Sequence, residues 1–260
     1  MTDNFVYRWL PFWTVLRREL RRFWGIKRQT IFGPLLETYL YISIFGAALG
    51  SRINEIDGHR YVIFIIPGLL MMSFAINTFA NNAFSMMQQK LQRAIDDQLA
   101  SPVSNMEALV AFGLGGFIRA CIIVTIAFIT AKLLIPDLPV EHPIMFILSF
   151  IFIGFFFAMA GVLVGLRSDT FDNLNFYQTF ILQPLIFLGG VFYSASLLPP
   201  LFETLTRFNP VYYMINTLRY SMTGSADINP NLSLFIIAIA AIALFILNYK
   251  LFARGYKLRA

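Results

Sequence analysis

Apolar residues along this chain come in long blocks separated by short polar runs. Six blocks stand out, at about 31–50, 62–83, 107–133, 143–165, 174–193 and 232–252. About twenty consecutive apolar residues cross a bilayer core as a helix. The pattern therefore predicts an all-α polytopic membrane protein with six transmembrane helices, forming a single domain over residues 1–260. Residues 8–28 follow a different rule. Trp9, Phe12, Trp13, Leu16, Leu20, Phe23 and Trp24 fall within a sector of roughly 100° on a helical wheel. Arg17, Arg18, Arg21 and Arg22 lie beside that sector or opposite it. This predicts an amphipathic helix in the membrane interface, with its arginines toward lipid phosphates and water. All three tryptophans of the protein sit here, and Trp favours headgroup depth.

Two connecting segments are also patterned. Between the second and third blocks, Met87, Leu91, Ile95 and Leu99 recur every four residues, with Lys90, Arg93, Asp96 and Asp97 off that stripe. Arg93 and Asp97 form an i,i+4 pair of opposite charge. Pro102 disfavours continued helix at Ser101. The spacing predicts a short amphipathic helix within 88–104, facing either a partner or lipid headgroups. The segment 194–231 is too apolar for a solvated loop. Leu197, Leu198, Leu201, Leu205 and Phe208 follow helical spacing, Asn209-Pro210 breaks it, and Val211, Tyr212, Ile215, Leu218, Tyr220 and Met222 resume it. Two half-length helices over 194–223 predict a re-entrant hairpin whose irregular backbone must be shielded by protein; the alternative is a pair of helices lying flat on the outer surface. In the fourth block, Gly154, Ala158, Gly161 and Gly165 share one face, and small residues let another helix approach.

Composition agrees with the pattern. The chain is 58% hydrophobic, with 28 Phe and only 13% charged residues, where a soluble domain is nearer a quarter charged. Charge then sets the orientation. With the N-terminus inside, fourteen Lys and Arg fall on the cytoplasmic side (Arg8, Arg17, Arg18, Arg21, Arg22, Lys27, Arg28, Lys90, Arg93, Arg167, Lys250, Arg254, Lys257 and Arg259). Five fall opposite (Arg52, Arg60, Lys132, Arg207 and Arg219), and Arg119 is left inside a span. The positive-inside rule then places both termini in the cytoplasm. The net charge of +6 is thus a topology signal and implies no nucleic-acid partner. The single Cys121 lies in an apolar block, and His59 and His142 are far apart in polar loops, so no metal site and no internal disulfide is expected. The Arg-rich N-terminus contains no apolar stretch ending in a small-residue cleavage site, so no cleaved signal peptide is expected.

Chemistry is sparse. No G-x-x-x-x-G-K-[ST] stretch for binding ATP occurs. Ion coupling usually leaves a carboxylate near the bilayer midplane, whereas Glu37, Glu107, Asp169 and Asp172 all fall near block ends or in loops. Arg119, midway along the third block, is the one charge at depth. It either lines a path for an anionic or zwitterionic substrate or is tied to carbonyls and a neighbouring loop to hold packing. No catalytic residue is expected. Three classes follow: a membrane pathway driven by a separate subunit, a stand-alone secondary transporter or channel, and a lipid-modifying enzyme. The last would need clustered acids, His or Ser.

The stretches "IFGAALGSRI", "FIIPGLLMMS", "DDQLASPVS", "LQPLIFLGGVFYSASLLPPLFETLTRFNPVYYMINTLRYSMTG" and "RGYKLR" resemble the permease subunits of type-2 ABC exporters, the ABC-2 family, and most closely its YadH-like bacterial subgroup. The resemblance covers essentially the whole chain. It implies a permease that pairs as a homodimer in the bacterial inner membrane, in contact with lipid, and docks on two copies of a separate ABC ATPase. ATP and Mg2+ would be held by that partner, so no cofactor is expected on this chain. By the same resemblance 8–28 would be the connecting helix, with Trp13, Arg17, Arg18, Arg21 and Arg22 as its marked residues. The 88–104 segment would be the coupling helix, with Arg93, Asp96, Asp97, Leu99, Ser101 and Pro102 against the ATPase, and Gly165 to Asp172 a second, shorter contact. Asn209 and Pro210 would hinge the outer re-entrant helices. Arg119, Phe180, Tyr193, Tyr212 and Tyr213 are candidates for a substrate path. The aromatic-rich spans suit a lipid-linked glycan, a lipid or a hydrophobic drug, although facing lipid explains the same residues. Glu37 departs from the apolar residue expected at its position.

Overall fold

The computed structural model describes residues 3–48, 55–56, 58–96 and 101–257. Helix α1 (Asp3–Gly25) leads through a π-helical stretch, Arg28–Phe32, into α2 (Gly33–Ala48). A two-residue ladder, Glu55–Ile56 against His59–Arg60, turns at Gly58 (φ 77°). This small hairpin was not expected from the sequence. Then come α3 (Tyr61–Leu91), α4 (Asn105–Leu134) and α5 (Pro143–Arg167). Helix α6 (Phe171–Phe176) continues through a second π stretch, Tyr177–Leu182, into α7 (Gln183–Leu188). The chain ends with α8 (Pro200–Phe208), α9 (Pro210–Thr223) and α10 (Pro230–Ala253).

Among the described residues, four helices are long and apolar enough to cross a bilayer: α3, α4, α5 and α10. They match the second, third, fourth and sixth predicted blocks. The first block is helical from Arg28 to Ala48, and its residues 49 and 50 lie outside the described residues. The fifth block stops short, at Leu188, because the chain turns at Gly189 and Gly190 (φ 88°), a backbone angle glycine adopts without a Cβ clash.

Helix α3 is the axis of the bundle and is buried along nearly its whole length. Helix α5 crosses it on the small-residue face. A Cβ on Gly161 would stand 2.5 Å from the Phe79 carbonyl oxygen, and one on Gly165 2.5 Å from that of Ala83. Backbone meets backbone there, which only small residues permit. Helix α4 starts from a capping box: the Ser104 hydroxyl accepts from Glu107 N (3.2 Å), and the Glu107 carboxylate accepts from Ser104 N (2.9 Å).

Three expectations change. First, α3 does not stop at 83. Nothing in 84–91 breaks a helix, so the chain stays helical to Leu91 and turns only at Arg93, whose φ is 56°. Residues 88–91 are therefore the last turn of α3, not the start of a separate helix. The supposed stripe also splits: Met87 and Ile95 are buried while Leu91 is exposed. Asp97 and Leu99 lie outside the described residues. Second, α1 buries Val15, Leu16, Glu19 and Phe23 and leaves Trp9, Trp13 and Trp24 exposed. Its contact stripe is thus rotated toward α4, where Val15 and Leu16 cluster with Ala111. Third, Arg219, counted in the outer loop, is buried in α9, stacked 3.8 Å over the Phe64 ring and donating to the Gly190 carbonyl (2.7 Å).

The Asn209-Pro210 break is present. Asn209 caps α9, accepting from Val211 N (3.0 Å), and donates to the Leu185 carbonyl (2.5 Å). Helix α9 is enclosed by α3, α5 and α10, while α8 exposes Leu201 and Phe208.

Candidate functional site

A row along α3 carries Ser73, Asn77, Asn81, Ser85 and Gln89, a polar residue every fourth position. Neighbours in such a row lie one above the other, but each step advances about 40° round the helix, so the row winds gradually as it runs about 24 Å. All five are buried. Each finds its partners on the helices that wrap this row, so the row is a polar seam between α3 and α1, α2 and α4.

At one end, Thr38 of α2 donates to Ser73 (3.2 Å). Arg119 of α4 comes next. Its Nη2 donates to the Thr30 carbonyl (3.1 Å) and to Asn77 Oδ1 (3.3 Å), and its Nη1 to Asn81 Oδ1 (3.3 Å). The Thr30 carbonyl belongs to the π-helical stretch, so the irregular turn between α1 and α2 is what presents an acceptor to Arg119. Arg22 of α1 reaches the same carboxamide, donating to Asn81 Oδ1 (3.0 Å) and to the Asn81 carbonyl (3.2 Å). The seam closes on Glu19, fully buried against Gly115, where a Cβ would stand 2.7 Å from that of Glu19. The Glu19 carboxylate accepts from Ser85 Oγ (2.5 Å), Gln89 Nε2 (2.8 Å) and Arg22 Nη2 (3.3 Å). Arg18 donates to Gln89 Oε1.

The seam is not fully satisfied. Arg22 Nε, Asn81 Nδ2 and both amide atoms of Asn82 are buried without a hydrogen-bond partner among the described residues. Its charge is also unequal. Two guanidiniums, Arg22 and Arg119, face one acid, Glu19, and Arg119 makes no ion pair among the described residues. A buried cation without a counter-charge is costly in an apolar medium.

A second charged cluster lies beside the Glu19 end of the seam, at the C-terminus of α3. Lys90 is buried and donates to the Leu166 (2.7 Å) and Ser168 (2.9 Å) carbonyls, capping the C-terminus of α5. Asp169 is shared by Lys90 (3.5 Å) and Lys257 (2.8 Å), which pins the last described residues to the α5–α6 turn. The hydrogen bond from Lys257 holds Asp169 below the usual carboxylate range, and the same bond raises Lys257.

The residues singled out from sequence are dispersed. Arg17, Arg18 and Arg21 are exposed on α1, but Arg22 is half-buried and turns toward Glu19 and Asn81, away from the exposed arginine face that its wheel position suggested. Arg93, Asp96 and Pro102 are exposed and Ser101 is half-buried, around a buried Ile95. The proposed path residues do not converge. Arg119 is in the seam. Phe180 is exposed on the second π stretch. Tyr193 and Tyr213 donate to the Phe187 (3.1 Å) and Arg207 (2.8 Å) carbonyls. The buried Tyr212 bonds Asp227 (3.2 Å). Glu37 is exposed. No cluster of three metal-ligating side chains occurs among the described residues. Sequence reasoning missed Glu19 and the α3 row, although the four-residue polar spacing was legible.

A helical bundle with four bilayer-length helices among the described residues and a buried charged seam has the build of an all-α polytopic membrane protein. Comparison with known proteins makes this specific. Residues 11–223 match the ABC-2 type transporter family model, and the chain belongs to that family. It is 34% identical over 252 residues to the inner membrane transport permease YadH of Escherichia coli K12, covering 97% of this chain and 98% of YadH. It is also similar to nodulation protein J of Rhizobium leguminosarum bv. viciae (27% over 252 residues) and of Rhizobium meliloti strain 1021 (24% over 257 residues), each covering 95% of this chain and 94% of the relative.

Proposed function

We propose that this chain is the membrane-spanning subunit of an ABC exporter of the bacterial inner membrane. The near end-to-end match to an inner membrane transport permease, at 34% identity, carries the reading. Two copies would pair and dock on two copies of a separate ATPase, which supplies ATP and Mg2+. In this reading α2 with its π stretch is the first span and α6–α7 the fifth, which makes six, with α8 and α9 forming an outer re-entrant hairpin. Both termini are cytoplasmic, following the distribution of Lys and Arg. The α3–α4 connection then faces the ATPase. Its exposed Arg93 and Asp96 surround Ile95, whose burial anchors the turn to the bundle. ATP binding on the partner shifts the permease between its access states only through differential affinity for them, and this turn is where the shift is delivered. The cargo class is a lipid-linked glycan, a lipid or a hydrophobic drug.

The test is reconstitution. The permease with its ATPase should show ATP-dependent export. Replacing Asp96 and Asp97 by Lys should abolish export and ATPase stimulation while leaving insertion intact. Normal coupling in that variant removes the role of this turn. A stand-alone secondary transporter is the second reading, favoured by one observation, the buried Glu19 in the polar seam. Flux through the purified chain without ATP or a second subunit would establish that reading instead.

A further inference from the structure

We infer that Arg22, Arg119 and the carboxamide of Asn81 form a site for a phosphate group on the α1–α2 side of the bundle. Two guanidiniums from different helices meet at one atom, Asn81 Oδ1, at 3.0 and 3.3 Å. Among the described residues the only carboxylate bonded to either is Glu19, on Arg22, so the pair carries one excess positive charge there. Two donors beside it, Arg22 Nε and Asn81 Nδ2, are buried without a partner among the described residues, and Asn81 itself is 1% exposed. Excess cation and unused N–H donors at one place are what a tetrahedral oxyanion satisfies, and the fork of a guanidinium fits phosphate oxygens in pairs. The pair is not sealed off: the Arg22 side chain is 23% exposed and Arg119 is only partly buried. Lys27 and Arg28 stand exposed one turn beyond Arg22, extending the positive potential to the surface.

The shared chemistry is a phosphate, carried either by a lipid headgroup or free in solution. This rests on the membrane placement argued above but not on transport, so binding is measured without the ATPase. The purified chain in neutral detergent would be titrated, with native mass spectrometry as readout, against a dioleoyl phosphatidic acid probe, a dioleoylglycerol probe of the same chains, and inorganic phosphate. The wild type should bind one phosphatidic acid and not dioleoylglycerol. Competition by millimolar inorganic phosphate assigns the site to free phosphate, and its failure to compete assigns it to a lipid headgroup. Arg22→Gln should weaken phosphatidic acid binding by about tenfold, the loss expected for one charge-assisted hydrogen bond. Arg119→Lys, which keeps the charge but loses the fork, should weaken it less. Arg21→Gln, changing an exposed arginine on the same helix, should leave it unchanged. Equal binding by wild type, Arg22→Gln and Arg119→Lys overturns the inference, as does equal uptake of dioleoylglycerol. If lipid binding is confirmed while reconstituted export fails, the site stands and the export reading falls.

Discussion

Replacing Glu19 by Leu is the most direct test of whether the seam holds α1 to the bundle. The side chain is fully buried and accepts from Ser85, Gln89 and Arg22. Leucine fills a similar volume beside Gly115 but accepts nothing. Breaking a buried ion pair from one side costs about 3–5 kcal/mol. The lower end applies here for two reasons. Arg22 keeps its bonds to Asn81 and is 23% exposed, so water screens part of its charge. Gln89 also retains its contact with Ser85 (3.3 Å). A cost of about 3 kcal/mol lowers the melting temperature of a chain this size by roughly 6–12 °C. Glu19→Gln keeps an acceptor and loses the charge, so it should fall between wild type and Glu19→Leu. Glu37→Leu, at an exposed position, is the control. The assay is thermal unfolding in one detergent, followed by intrinsic Trp fluorescence, since all three tryptophans lie on α1. If Glu19→Leu melts within about 2 °C of both wild type and Glu37→Leu, the seam carries no such stabilisation and the reasoning fails.

Further outcomes follow from other contacts. Gly161→Ala and Gly165→Ala each push a methyl to 2.5 Å from an α3 carbonyl and should destabilise by about 1–3 kcal/mol; Gly25→Ala meets nothing within 4 Å and should melt like wild type. Arg93→Gly relieves a left-handed backbone (φ 56°) and should raise stability by about 1 kcal/mol. If the Arg93 side chain faces the ATPase, the same variant should lose ATPase stimulation despite its greater stability. The Asp169–Lys257 tie should be insensitive to pH over a wide window. Asp169 is held low, so its contribution is full above the ordinary aspartate value of about 3.9 and fades as pH falls through the lowered one. Lys257 is raised, so its contribution is full below the ordinary lysine value of about 10.4 and fades as pH rises through the raised one. Protease cleavage after Arg254 should therefore stay slow between those limits and quicken in Asp169→Asn at neutral pH.

Block length made α3, α4, α5 and α10 legible because a bilayer-spanning helix is a property of composition over some twenty residues. Likewise the Gly154-to-Gly165 face is a local pattern, as is the Asn209-Pro210 break. The failures share a different cause. Helix α3 runs past its apolar block because polarity does not mark a helix boundary. Polar side chains at Ser85, Gln89 and Lys90 do not end a helix when Glu19 and the α5 carbonyls wait to receive them. The stripe by which α1 packs on the bundle is not legible from apolarity alone. In the fold Glu19 is more deeply buried than any of the three tryptophans. The two π stretches have no signature in the blocks around them.

The seam also changes what kind of element α1 is. A helix held at the interface by Trp and Arg alone slides and tilts with the lipid. Here α1 is fixed to α3 at Asn81, Ser85 and Gln89, and the same row of α3 side chains continues through Asn77 to Arg119 of α4 and the π turn. Gln89 lies four residues before Arg93, where the chain leaves α3 toward the turn proposed to meet the ATPase. A displacement of that turn must therefore move α1 and α3 together or break buried bonds to Glu19. Single deletions cannot distinguish these alternatives; a double-mutant cycle can. Glu19→Gln and Ser85→Ala, singly and together, should show a coupling of about 0.5–3 kcal/mol in stability. If α1 and α3 move as one body, adding the ATPase and a non-hydrolysable ATP analogue should leave that coupling unchanged. A coupling that vanishes with nucleotide would mean instead that the seam opens during the cycle.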